Sequence, residues 1–133
     1  MKGVMQMNSS LVPLISGVAF VAMTALVFAH HSFATFDQDH PLELSGVVKE
    51  FSFTNPHSFI RLEVKDKSGN SETWTLEGSS PRALAHDGWT STTLKTGDKL
   101  QVTINPARNG APRGSWDVTK TMFKDGKPVP GPP

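Results

Sequence analysis

Histidine carries the clearest chemistry in this sequence. His30, His31, His40, His57 and His86 are its five histidines, in a chain of 133 residues that has neither Cys nor Tyr. His30 and His31 stand together where an apolar leader gives way to a polar body. If processing makes His30 the first residue, its free α-amine and its ring Nδ1 close a six-membered chelate, and a second imidazole completes a three-nitrogen donor set. Such sets favour Cu(II), with Zn(II) or Ni(II) as poorer fits. His31 can ligate directly or stand behind the metal as an outer partner. His57 follows the rigid Asn55-Pro56 turn, which would hold its ring in place, so it is the best remote ligand. His40 and His86 are reserves. A plainer reading stays open for each group: His30 and His31 as solvent-exposed residues with adventitious metal affinity, and His57 as a strand-start residue hydrogen-bonded to backbone.

Other chemistry has less behind it. The absence of Cys excludes disulfides, zinc-thiolate sites, iron–sulfur clusters and lipid attachment through Cys. All 12 acidic residues follow Ala29, and of the 13 basic residues only Lys2 precedes it, so the body is nearly neutral and lacks a net field to hold nucleic acid. Asp37, Asp39 and Glu43 supply carboxylates for acid–base work, but nothing fixes their separation. Gly-x-Ser-x-Gly and phosphate-cradling glycine loops are absent. A copper oxidase is conceivable at an N-terminal His chelate, yet a domain without Tyr has little else from which to build its pocket. The balance favours a binding protein over an enzyme.

The metal argument depends on where the leader ends. Residues 1–10 carry one charge, Lys2, and Leu11 to Ala29 is uncharged and almost wholly apolar. That is the layout of a secretory signal peptide, with a small residue before the cut. Val27 is larger than the Ala preferred three residues before the break, so Val27-Phe28-Ala29 fits the pattern only in part. The apolar run is also long enough to span a bilayer uncleaved. A basic start and an Ala stop before a polar body favour cleavage after Ala29, which leaves about 104 residues, one small periplasmic domain with no membrane span.

Residues 30–40 read as an extended arm with Phe33 and Phe36 available to dock. A barrel follows over 41–127, and 128–133 is a Pro-rich tail. Pro41 to Thr54 roughly alternates as a long first strand, with Gly46 at a bulge or bend. Thr54-Asn55-Pro56-His57 is a turn. His57 to Lys65 and Glu72 to Gly78 are strands two and three around a hairpin at Asp66–Asn70. Ser80 is an N-cap, Pro81 fits the first helical position, and Gly88 ends the short helix. Lys99 to Asn105 and Ser115 to Phe123 are strands four and five. The expected fold is all-β with one short helix: an OB-fold-like five-stranded barrel, with the helix between strands three and four. That fold leaves function open. Its loops and strand faces nonetheless supply a second candidate site, Trp116 with Arg108 and Arg113, for a glycan, a small molecule or a partner protein. Trp74, Trp89 and Trp116 also have a core reading.

His30-His31-Ser32-Phe33, Phe36-Asp37, Gly46-Val47-Val48, Thr54-Asn55-Pro56-His57, Gly78-Ser79-Ser80-Pro81 to Gly88-Trp89 and Leu94-Lys95-Thr96-Gly97-Asp98 occur in that order. This set resembles a family of small exported bacterial proteins of unknown function, recognisable by an HHSF start and a TNPH turn. The resemblance implies a periplasmic single domain and supplies no activity. The function expected from the residues is a carrier or accessory protein for a metal ion, Cu(II) first. Its alternative is a metal-free envelope binding module, and a third role is that of small structural partner to a larger periplasmic enzyme, with the Pro-rich tail as contact.

Overall fold

The computed structural model describes residues 34–120 and 122–129. The leader and the His30-His31 doublet lie outside them. The elements run β1 (Leu42–Ser52), β2 (Phe59–Lys65), β3 (Ser71–Glu77), α1 (Pro81–His86), β4 (Lys99–Pro106), β5 (Arg113–Ser115), β6 (Met122–Lys124) and β7 (Lys127–Pro128). The first five strands hydrogen-bond in the order β1-β2-β3-β5-β4, and β4 returns to β1, so the sheet closes into a barrel. All pairings are antiparallel except β3–β5. This is the expected OB-like architecture, with α1 between β3 and β4. Among the described residues, no helix is long and apolar enough to cross a membrane.

β1 makes closure possible. Leu42–Val47 pair with β4 while Gly46–Ser52 pair with β2, so Gly46 and Val47 have strand neighbours on both sides. Gly46 is required there for space: a Cβ would lie 2.3 Å from the Glu63 carbonyl oxygen. The bulge expected at Gly46 falls instead between Val48 and Glu50. A turn stabilises it, because Gly97 N–H donates to Val48 O (2.8 Å), Val48 N–H to Asp98 O (2.9 Å) and Thr96 Oγ1 to Lys49 O (3.0 Å).

Alternation places Leu44 and Val48 of β1, Ile60 and Leu62 of β2, Leu76 of β3, and Leu100, Val102 and Ile104 of β4 inside the barrel. Each such side chain contributes about 1.5–3 kcal/mol when fully buried. α1 closes one part of this core. Ser80 Oγ accepts from Ala83 N–H at 3.3 Å, Pro81 occupies the first turn, and Gly88 follows at φ 83°, so Leu84 and Trp89 are delivered inward. Trp89 stacks obliquely on Trp116 with ring centres 5.0 Å apart, and on Phe51 at 6.0 Å. The Asp66–Asn70 hairpin is held by the Asp66 carboxylate, which accepts from Ser68 N–H, Asn70 N–H and the Asn70 side-chain amide.

The fifth strand differs from the sequence expectation. Rather than one strand over 115–123, β5 covers only Arg113–Ser115, and a turn separates it from β6. Asp117 is the cause. Its carboxylate accepts from Thr119 N–H (2.8 Å), and its carbonyl accepts from Lys120 N–H (3.2 Å), which diverts the backbone from the ladder. β6 then pairs with the other half of β4, and Asp125 (φ 49°) with Gly126 (φ 77°) forms a two-residue hairpin to β7. Residue 128, expected in the tail, belongs to β7, and Val129 N–H donates to Met122 O.

Candidate functional site

His57 ends the turn between β1 and β2, after a cis Asn55–Pro56 peptide bond. Its ring faces the end of β3. Nδ1 stands 3.3 Å from the Gly78 carbonyl oxygen, which only accepts, so this nitrogen carries a proton. In the neutral ring Nε2 is then an unprotonated donor atom, and it lies 3.7 Å from Glu77 Oε1. That distance is too long for a hydrogen bond. It suits two ligand atoms on one ion, since a cation bound at about 2.0–2.2 Å to N and O bridges such a gap without moving either side chain. The His57 side chain is 45% exposed and Glu77 21%, so the pair is open to solvent. A histidine oriented through Nδ1 by a backbone carbonyl is the usual arrangement of a ligand that coordinates through Nε2.

The barrel fixes this geometry from below. Trp116 N–H donates to Glu77 O at 2.9 Å, and the Trp116 ring leaves no room for a side chain at Gly78, where a Cβ would approach it to 2.4 Å. Ser58 N–H donates to Ser79 O, and Gly78 N–H to Ser58 O, which ties the His57 strand to the Gly78 strand. Glu77 is the residue that sequence reading missed. Its signal was its place at the outward-facing end of the third strand, but pairing it with His57 requires the β2–β3 register, where Phe59 faces Glu77.

The remaining histidines stand apart. His40 Nδ1 lies 3.0 Å from Asp37 Oδ2, and His86 Nδ1 lies 3.6 Å from Asp87 Oδ1 at the end of α1. Among the described residues, no three His, Asp or Glu side chains gather as a metal-holding group. His30 and His31 lie outside those residues.

The described part of the arm docks along the loop that leaves β4. Phe36 is buried and bridges Ala107, Asp37 N–H donates to Pro106 O (2.8 Å), and Arg108 N–H donates to Thr35 O (3.0 Å). Arg108 adds an ion pair to Asp37 at 3.6 Å. The His40 ring hydrogen bond above all holds the Asp37 carboxyl below its ordinary value of 3.8, helped by Asp39 N–H and the Arg108 charge. A carboxyl with a lowered folded pKa stabilises docking fully above that ordinary value, and the contribution disappears as pH falls through the folded value. The amides of Asp37 and Arg108 should therefore lose exchange protection below about pH 4 while core amides keep theirs, and Asp37→Asn should abolish the difference.

The second candidate site divides. Trp116 is only 3% exposed and belongs to the core, so its ring offers no stacking face. Trp89 is equally buried, and Trp74 packs partly buried against the same core. Arg108 holds the arm. Arg113 pairs across the parallel ladder with Thr75 and is exposed. Beside it, the outer face of β1–β3 forms a groove of about 300 Å³ lined by Glu50, Ser52, Phe59, Arg61 and Thr75, with Arg61 Nη1 3.8 Å from Glu50 Oε2.

A family model described as a family of unknown function (DUF6152) matches residues 18–117, a span that takes in both the histidine doublet and the Thr54–His57 turn. No curated protein and no solved structure matches the chain.

Proposed function

Given that the chain belongs to DUF6152, a family of unknown function, we propose its role from its own residues: an exported carrier or accessory protein that binds one metal ion, Cu(II) first, through His30, His31 and His57. The observation that supports this reading is the His57 ring, oriented by the Gly78 carbonyl with Nε2 left beside the Glu77 carboxylate. Glu77 joins the proposed ligand set as an oxygen donor, which widens the metals accepted toward Zn(II). The α-amine and imidazole of His30 supply the remaining nitrogens once the leader is cut after Ala29, and the periplasm is the compartment that such a leader addresses.

The test is a copper titration of protein that begins at His30, against a form with one extra Gly before His30 and against His57→Ala. The expected result is one Cu(II) per chain, with affinity at least about tenfold lower in both altered proteins, the cost of about 1.4 kcal/mol or more per lost ligand. Equal affinity and stoichiometry in the extended protein would sink the amine chelate.

A second reading is a metal-free envelope binding module on the outer face of β1–β3. The groove over Phe59, Arg61 and Thr75 favours it, because it lies where barrels of this architecture contact oligosaccharides, between the β1–β2 turn and the β4–β5 loop. On a glycan array, Arg61→Ala and Arg113→Ala would then abolish binding that His57→Ala leaves intact.

A further inference from the structure

A second hollow lies elsewhere, on the outer face where β1 bends between β2 and β4. Its volume is about 410 Å³, inside the range of small-molecule sites. The register explains it. Val47 faces Glu63 on one side and Lys99 on the other, Ser45 faces Gln101, and Gln101 faces Phe123 of β6. Ser45 and Gly46 give the floor the smallest residues available, while longer side chains from three neighbouring strands form the walls. None of its lining residues belongs to the His57 pair or to the groove over Arg61.

Charge gives the hollow a preference. The one carboxylate in the lining, Glu63, already faces Lys49 at 3.6 Å. The ammonium groups of Lys65 and Lys99, which also line the hollow, have no carboxylate partner among the described residues. Apolar surface adjoins them, with Val47 on the strand between β2 and β4 and Phe123 on β6 beyond β4. Val47 is 37% exposed, one of two large hydrophobic residues so exposed among the described residues, and Phe123 forms the wall on the β6 side. Apolar surface beside two cations that lack a carboxylate partner matches an anionic head on a short apolar body.

We infer that this hollow is a binding site for a small amphiphilic anion, its carboxylate, sulfonate or phosphate held by Lys65 and Lys99 and its apolar part lying on Val47 and Phe123. The site is independent of metal binding.

The probe is 8-anilinonaphthalene-1-sulfonate, followed by fluorescence on the folded protein, with the uncharged N-phenyl-1-naphthylamine as control. One saturable site is expected. Lys65→Ala with Lys99→Ala should weaken the anionic probe about tenfold or more, the loss of charge-assisted contacts, and leave the uncharged probe unchanged. Ser45→Trp fills the floor and should abolish both, with circular dichroism confirming that the barrel is intact. Undiminished anion binding in the double lysine variant overturns the assignment. So does sedimentation showing that two copies associate through this face and separate in Ser45→Trp, since the occupant would then be a second chain.

Discussion

Trp116→Ala is expected to lower the stability of the barrel by about 3–5 kcal/mol, the usual cost of emptying a large aromatic site in a packed core. The ring is 3% exposed, lies 5.0 Å from Trp89 centre to centre, and covers Gly78 so closely that no side chain fits beneath it. Urea denaturation would show a large drop in midpoint with little change in slope. A tryptophan displayed on the surface for stacking would cost less than about 0.5 kcal/mol on removal, so the size of the loss separates the two roles. The consequence for the site is equally specific. Trp116 supports Glu77 through its backbone and Gly78 through its ring, and these two residues face His57. In folded Trp116→Ala protein the amides of Gly78 and Ser58 should exchange faster, because Gly78 N–H bonds to Ser58 O across the gap that the ring supported.

The same residue shows what a sequence of this kind displays and what it hides. Two-residue periodicity exposed β1 to β4, because Leu44, Ile60, Leu62, Leu76, Leu100, Val102 and Ile104 all lie inside the barrel, and alternation is a direct image of a half-buried sheet. Ser80-Pro81 and Gly88 marked α1 because capping chemistry is local. With three strands, a helix and at least one more strand in order, the barrel followed. β5 was misjudged because the competing interaction is also local but weak in the sequence: one Asp117 carboxylate takes the Thr119 N–H and ends a run that still alternates apolar and polar residues. Trp116 sits just past the new strand end, where periodicity says nothing about whether a ring turns inward. The position of Gly46 was legible and its purpose was not. Contact with Glu63 O is a property of the β1–β2 register, which no single strand encodes.

For the candidate site, the sequence exposed His57 through its Asn-Pro turn, whereas Glu77 showed only as an outward-facing residue at a strand end with nothing to pair it with His57. The two are 20 positions apart and meet only when β2 and β3 pair. The arm shows the same limit. Phe36 was recognisable as a ring to be buried, but its receptor, the Pro106–Arg108 segment, is defined by where β4 ends. Arg108 looked like a ligand-binding loop cation. The structure gives it a nearer task, an ion pair with Asp37 and a backbone bond to Thr35.

Gly46→Ala, one added methyl group, should also be severe. A Cβ would lie 2.3 Å from Glu63 O, 2.9 Å from Leu62 Cγ and 3.0 Å from the Glu63 carbonyl carbon. Two of those three atoms are backbone, so no rotamer change relieves the contact. Nor can β1 retreat, because Gly46 is paired with Val64 on one side and Leu100 on the other, and a shift away from β2 drives the strand into β4. Alanine restricts the unfolded chain and by that route would stabilise by about 0.4–1 kcal/mol. Forced overpacking costs about 1–3 kcal/mol even where side chains can adjust, and here the immovable partner is a carbonyl in the ladder. The net expectation is a loss of about 2 kcal/mol or more, seen as a lowered thermal midpoint and as faster amide exchange where Gly46 faces Val64. Ser45→Ala, one residue away on the outer face, is the matched control and should remain within about 0.5 kcal/mol of the parent. If Gly46→Ala proved as stable as that control, β1 could not be held on both sides at once, and the closure of the barrel through β1 and β4 would have to be redrawn.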